Sequence, residues 1–160
     1  MAEKIKNLDS PRGLARLAWR APIWFYRMRM GGLFGERMLL LNHIGRKSGQ
    51  VRQNVLEVVR HDKQADAYIV ASGFGKNADW YKNVAVHPDV KIQVGRRHVS
   101  ARAERLPVER AIEEILDYKF RHPAALKTLA GILGYKSDGS DVDVKFLATV
   151  IPILAFRVVK

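Results

Sequence analysis

Between Met38 and Arg105 the chain is cut into short apolar runs separated by turn residues: Met38 to Ile44, Val51 to Arg60, Ala67 to Ser72, Val90 to Val94 and His98 to Arg105. Runs this short, rich in Val, Ile and Leu, fit strands better than helices. The links His61-Asp62-Lys63-Gln64-Ala65-Asp66 and Val94-Gly95-Arg96-Arg97-His98 read as hairpin loops, so successive strands should pair antiparallel and curl into a barrel. In Val51 to Val59, Val51, Val55 and Val59 share a face with Gln53 and Glu57, whereas Arg52, Asn54, Leu56 and Val58 share the other. Neither face is uniformly apolar, which points to a polar site at one end of this strand.

Helices flank the strands. Ala78 to Val86 reads as a short helix ended by His87-Pro88-Asp89. Pro107 opens a second, in which Val108, Ala111, Ile112, Ile115 and Leu116 form an apolar stripe while Glu109, Glu113 and Glu114 face away. A weaker helix is expected around Ala124 to Leu133, then a polar flexible loop over 136–141. Phe146 to Val159 is apolar and β-branched and reads as a last strand, with Pro152 at an edge or bulge. Upstream, residues 10–30 read as an N-terminal amphipathic helix with Leu14, Leu17, Ala18, Ala21, Trp24, Phe25 and Met28 on one side and Arg12, Arg16, Arg20 and Arg27 on the other; Pro22 would kink or split it. Together these describe a mixed α+β fold, an antiparallel barrel with peripheral helices.

The chain has 160 residues, room for a single domain spanning 1–160. With 48% apolar and 28% charged residues it has the composition of a folding chain rather than a disordered one. Cysteine is absent, which excludes disulfide scaffolds, thiolate metal sites and cysteine nucleophiles. Histidines 43, 61, 87, 98 and 122 show no HxH or HExxH spacing, so no metal is expected. The serines lie in no nucleophile elbow, and Glu113-Glu114 and Asp141/Asp143 read as solvated carboxylates. No secretory signal or bilayer-spanning run is visible, which makes the cytoplasm the expected compartment, with membrane association left open.

Charge is the compositional anomaly: 28 Lys and Arg against 16 Asp and Glu give +12. Residues 1–60 hold 12 basic and 4 acidic side chains, so the N-terminal third carries most of the excess. Nucleic acid, anionic lipid and a polyanionic cofactor would each be attracted. No helix-turn-helix, zinc-finger or RNP pattern accompanies the charge, so nucleic acid is not expected as a partner.

Two glycine-containing loops concentrate the chemistry. In His43-Ile44-Gly45-Arg46-Lys47-Ser48-Gly49-Gln50-Val51-Arg52, Gly45 and Gly49 permit left-handed backbone, and Arg46, Lys47, Ser48 and Arg52 surround the turn with donors suited to phosphate. A solvated hairpin turn would look the same on charge and glycine alone. The second loop, Ala71-Ser72-Gly73-Phe74-Gly75-Lys76-Asn77, leads into the helix of Trp80, Tyr81 and Asn83 and offers another anion cradle.

Taken in order, GRKSG (45–49), QVRQN (50–54), ASGFG (71–75), WYKN (80–83) and HPDVKIQVG (87–95) resemble the deazaflavin-dependent nitroreductase family of split β-barrel oxidoreductases, over about Trp19 to Arg105. The resemblance implies an FMN-binding-like split barrel that binds coenzyme F420, an 8-hydroxy-5-deazaflavin with a phosphate and an oligoglutamate tail. FMN is the alternative cofactor. It further implies that Arg46, Lys47, Ser48 and Arg52 hold the phosphate end and its linker, that Ser72, Gly73, Trp80 and Asn83 surround the ring, and that Gly49, Asn54 and Lys76 complete the cofactor-binding set. Gly73 stands where the family commonly has lysine, and Lys76 is positioned to replace that charge.

The activity implied is hydride transfer from reduced deazaflavin to a small hydrophobic, electron-poor acceptor such as a quinone, enone or nitroaromatic. No catalytic side chain is assigned. Tyr135 is the lone tyrosine in 121–145, where nitroimidazole-reducing members carry a tyrosine-rich cluster, so nitro-drug activation is not implied. The same scaffold could instead serve a non-catalytic lipid- or flavin-binding protein, with the Arg-faced helix touching anionic membrane. Family resemblance also allows a homodimer.

Overall fold

The computed structural model describes residues 2–4, 22–24, 26–28, 32, 35–132 and 134–160. Arg12, Arg16 and Arg20, with Leu14, Leu17, Ala18, Ala21 and Phe25, all expected in an N-terminal amphipathic helix, lie outside the described residues.

Strands β2 (Met38–Ile44), β3 (Val51–Asp62), β4 (Ala67–Ala71), β5 (Asp89–Val94), β6 (Arg97–Arg105) and β8 (Ile153–Val158) close into a barrel in the order β2-β3-β4-β8-β6-β5. Every neighbouring pair is antiparallel. Helix α1 (Asp79–Val86) lies between β4 and β5; α2 (Val108–Arg121), α3 (Pro123–Ile132) and α4 (Asp141–Val150) lie between β6 and β8. Two-residue strands β1 (Glu3–Lys4) and β7 (Tyr135–Lys136) pair outside the barrel. This is the split-barrel fold with peripheral helices.

The period-two alternation of the strands separates two apolar layers. Leu39, Leu41, Leu56, Tyr68, Val70, Ile92, Val94, Ala101 and Phe156 fill the interior, and α1 closes one end by inserting Trp80 and Val84 among them. On the outer face of β3, β4 and β8, Val59, Ile69, Ile153 and Ala155 meet α2, α3 and α4. A register shift between Val58 and Arg60 lets β3 serve both layers: Val59 and Arg60 turn outward, and His61 returns inward to stack on Tyr68 at 4.1 Å.

Several expectations are corrected. Residues 146–159 are not one strand: α4 runs to Val150, and β8 starts only at Ile153. Val144, Leu147, Ala148 and Ile151 recur at helical spacing and bury one stripe, and Pro152 forces Ile151 into an extended conformation (φ −94°, ψ 115°) that stops the helix. Glu114 does not face water. It shares the buried side of α2 with Ala111, Ile115 and Tyr118 and is 4% exposed, while Val108 is exposed.

Asp143 is buried as well, accepting from Ser137 Oγ (2.9 Å) and the Asp138 backbone N–H (3.0 Å). The 137–140 loop is thereby tied down, and Ser140 caps α4 by accepting from the Asp143 N–H. In the N-terminal segment, residues 22–24 and 26–27 are helical, and Ile23 and Tyr26 face Leu40 and Val55. Trp24 and Met28, expected on the packed face, are each 59% exposed.

Candidate cofactor site

The β2–β3 turn is built by its glycines. Gly45 N–H donates to the Gln50 carbonyl and Gly49 N–H to the Gly45 carbonyl, both at 2.8 Å, and Gly49 holds φ +67°. Any Cβ at Gly45 would stand 2.6 Å from Ser48 Oγ, so Ser48 tucks into the space glycine leaves. Ser48 Oγ accepts from the Gln50 N–H (3.3 Å) and from Arg52 Nη2 (3.5 Å). Lys47 is exposed at the tip.

Arg46 does not extend into water. Its backbone N–H donates to Asn83 Oδ1 (3.1 Å), its Nη1 to the same oxygen (2.8 Å), and its Nη2 lies 3.3 Å from Asp79 Oδ1. Asn83 Nδ2 in turn faces His43 Nδ1 (3.2 Å), and His43 Nε2 faces Asn54 Oδ1 (2.9 Å). The turn, α1 and the end of β3 are therefore joined by one polar chain, Arg46–Asn83–His43–Asn54, which enters the barrel interior. His43 is 2% exposed. Burial pushes its ring below the ordinary imidazole range, as does the Arg52 charge, against the opposing Asn54 bond and Asp79 charge.

The second loop is ordered by Ser72. Its Oγ donates to the Gly75 carbonyl (2.6 Å) and its N–H to the Pro152 carbonyl (2.9 Å), so Ser72 is fully buried and holds the loop to the barrel rim. Gly75 takes φ +64°, and space is open where a Cβ would sit at Gly73 and Gly75. Lys76 is exposed in the short 3-10 turn Gly75–Asn77. Trp80 packs inside the barrel, 6.4 Å from Phe156 between ring centroids, with Tyr81 edge-on at 6.3 Å. Of the expected site residues, the structure thus unites Arg46, Asn54 and Asn83, sets Ser48 and Arg52 beside them, leaves Lys47 and Lys76 in solvent, and uses Ser72 and Trp80 to build the rim and plug.

Two participants lie outside the expected site residues, His43 and Asp79. Strand alternation carries the signal for the first, since His43 shares parity with the inward Leu39 and Leu41.

A separate open cleft of about 560 Å³ is lined by Tyr26, Gly32, Gln93, Gly95, Arg96 and His98. Leu39 pairs with Val94 and the cradle turn follows Ile44, so cleft and turn lie toward opposite ends of β2.

Residues 18–122, well over half of the chain, match the pattern of the F420H(2)-dependent quinone reductase family. The chain belongs to that family. It is 38% identical over 80 residues to the Mycobacterium tuberculosis protein Rv3178, provisionally named an F420H(2)-dependent quinone reductase. That match covers 46% of this chain and 66% of the relative, a little under two thirds of its length. Among solved structures, an F420-H2 dependent reductase (FDR-A) superimposes with a TM-score of 0.53 at 22% identity, over 77% of this chain and 96% of that one. A chain described as a domain-swapped dimer gives 0.52 at 19% identity over 86% of this chain and all of that one. The conserved hypothetical protein Rv2991 of M. tuberculosis gives 0.54 at 12% identity, over 84% and 80%. These likenesses establish the fold. No described helix is long and apolar enough to cross a membrane.

Proposed function

We propose that this member of the family binds coenzyme F420, anchors its anionic end at the 45–49 turn, and reduces a small hydrophobic acceptor of the quinone, enone or nitroaromatic class. One observation carries the reading: among the described residues neither Lys47 nor Lys76 has a carboxylate partner, and Arg46 and Arg52 flank the same turn, with Asp79 beside Arg46 and Ser48 Oγ beside Arg52. A cationic surface left uncompensated in this way suits phosphate and glutamate carboxylates. The donor set fits the acidic end of the cofactor. The open backbone at Gly73 and Gly75 supports close approach of a flat ring, a role that the buried side chains of Ser72 and Trp80 leave to the loop itself.

When bound, the deazaflavin supplies the hydride chemistry. The chain's own work is then positional: Lys47, Lys76, Arg46 and Arg52 hold charge, Ser48 and Ser72 shape the two loops, and the Asn83–His43–Asn54 chain keeps the turn in register with the barrel end. Titration of coenzyme F420 fluorescence with the purified protein should give a dissociation constant in the low micromolar range. Oxidation of the reduced coenzyme should then depend on an added short-chain quinone. Failure to bind, or displacement of F420 by FMN at equal concentration, would overturn the assignment.

Peripheral membrane contact is a second reading with its own observation. Trp24 and Met28 are exposed side by side on one helical face, and the Arg27 guanidinium lies 5.2 Å over the Trp24 ring. Co-sedimentation with anionic but not neutral liposomes, lost on Trp24→Ser with Met28→Ser, tests it. Sedimentation velocity on the same samples tests whether the chain pairs as a homodimer.

A further inference from the structure

We propose that His43 is a positioning residue for the cofactor site, setting the direction of Arg46 through the side-chain amide of Asn83; the functional part of this inference rests on the F420-binding reading above.

The argument follows from donors and acceptors. Arg46 offers only N–H groups to Asn83, so the amide oxygen of Asn83 must face it. The Asn83 Nδ2 therefore points at His43 Nδ1, which has to accept, and the ring proton sits on Nε2, donated to Asn54 Oδ1. One tautomer satisfies all four groups. In that state both the backbone and the guanidinium of Arg46 are fixed before any ligand arrives, which removes ordering entropy from the binding step.

Protonation of His43 breaks the pattern. Nδ1 would then carry a hydrogen facing the Asn83 NH2 group, and relief requires the amide to turn over. That turns donors toward Arg46 and costs it two hydrogen bonds. The charged groups facing His43 are Arg52 on β3 and Asp79 on α1, while Arg46 on the turn reaches it through Asn83; β5 contributes the apolar Val90 and Ile92 to the adjoining interior. Burial, helped by the Arg52 charge, resists protonation more than the Asn54 bond and the Asp79 charge favour it, so the switch point lies below the ordinary imidazole value.

Two variants separate this from a merely structural role. His43→Gln can donate to Asn54 and accept from Asn83 without titrating; His43→Leu can do neither. The free protein is first followed by NMR between about pH 7.5 and 5. The His43 ring should show the Nε2–H tautomer, and the Asn83 side-chain amide and the Arg46 backbone amide should shift with the midpoint of the His43 ring. In His43→Gln those shifts should vanish. Cofactor affinity is then measured by F420 fluorescence over the same range. Wild type should lose about fivefold or more as His43 protonates, His43→Gln should bind at near wild-type strength with a flat profile, and His43→Leu should bind about tenfold more weakly throughout. An Nδ1–H tautomer, independent midpoints, or an unchanged pH profile in His43→Gln overturns the proposal. If the NMR pattern holds while wild type fails to bind F420 at any pH, the cofactor reading falls and the His43–Asn83–Arg46 coupling stands by itself.

Discussion

Arg60 and Glu114 form a two-pronged ion pair, Nη2 to Oε1 at 2.7 Å and Nε to Oε2 at 2.9 Å, that joins the outer face of β3 to the buried side of α2. The Glu114 side chain is almost wholly enclosed, whereas the Arg60 side chain is 32% exposed, with Asp62 3.6 Å from its Nη2. A bidentate arrangement of this kind satisfies both oxygens, which is what allows a charge to sit among Ala111, Ile115 and Tyr118.

Removing only the guanidinium, in Arg60→Ala, strands the Glu114 carboxylate beside Ala111, Ile115 and Tyr118, with Arg110 3.8 Å away as the cation left near it. The expected loss is about 2–4 kcal/mol of unfolding free energy. Replacing both partners, Arg60→Met with Glu114→Leu, should recover most of it, because the penalty belongs to the unpaired charge. Denaturant titration of the two variants checks this, and equal losses would show that packing rather than charge dominates.

Lys47→Ala and Lys76→Ala change exposed side chains that no described carboxylate pairs with. Thermal stability should be unchanged, while affinity for F420 falls about tenfold or more for each, and turnover at saturating cofactor is kept. Arg46→Ala should also weaken binding, with an added loss of stability from the released Asn83 oxygen. Normal binding by Lys47→Ala and Arg46→Ala together would place the phosphate elsewhere.

Trp80 carries the plug of α1 into the barrel. Truncation to Ala removes its contacts with Phe156 and Tyr81 and should cost about 3–5 kcal/mol, lowering the melting temperature on the order of 10 °C. Trp80→Phe should retain most of the stability. If Trp80→Ala melts as wild type does but no longer binds F420, the ring stacks on cofactor rather than supporting the fold.

Two tyrosines make alkaline stability testable. Burial pushes the Tyr26 hydroxyl up to about 12, and burial followed by the Glu57 charge does the same for Tyr118, whose hydroxyl donates to Glu57 Oε1 at 3.1 Å. An unfolded chain releases these protons near 10. The folded-state values are raised, so their contribution is fully present below pH 10 and is lost as pH rises through about 12. Absorbance titration should show phenolate formation delayed at both sites, and Tyr118→Phe should reduce the steepness of alkaline destabilisation. Ordinary titration of all five tyrosines would contradict the burial.

Much of the barrel was readable along the chain because alternation is local: β2, β3, β4, β5 and β6 fall close to the expected runs, and Pro107 precedes α2 as expected. The last strand starts later than its composition suggests because Val144, Leu147, Ala148 and Ile151 carry a helical period inside a β-branched stretch, and Pro152 divides the two. The burial of Glu114 and Asp143 is hidden for another reason. A carboxylate looks solvated until its partner is known, and Arg60 lies 54 positions from Glu114.

Residue order alone established the alternating strands, the two glycine turns, the excess of positive charge and the family motifs, since each depends on neighbours a few positions apart. The folded chain decided which donors meet. Arg46 finds Asn83 across 37 positions, and Asn83 finds His43 across 40, only because α1 closes the barrel end above β2. Hydrogen-bond partnership depends on distances of about 3 Å in space, and no local pattern encodes which distant side chain will occupy that distance.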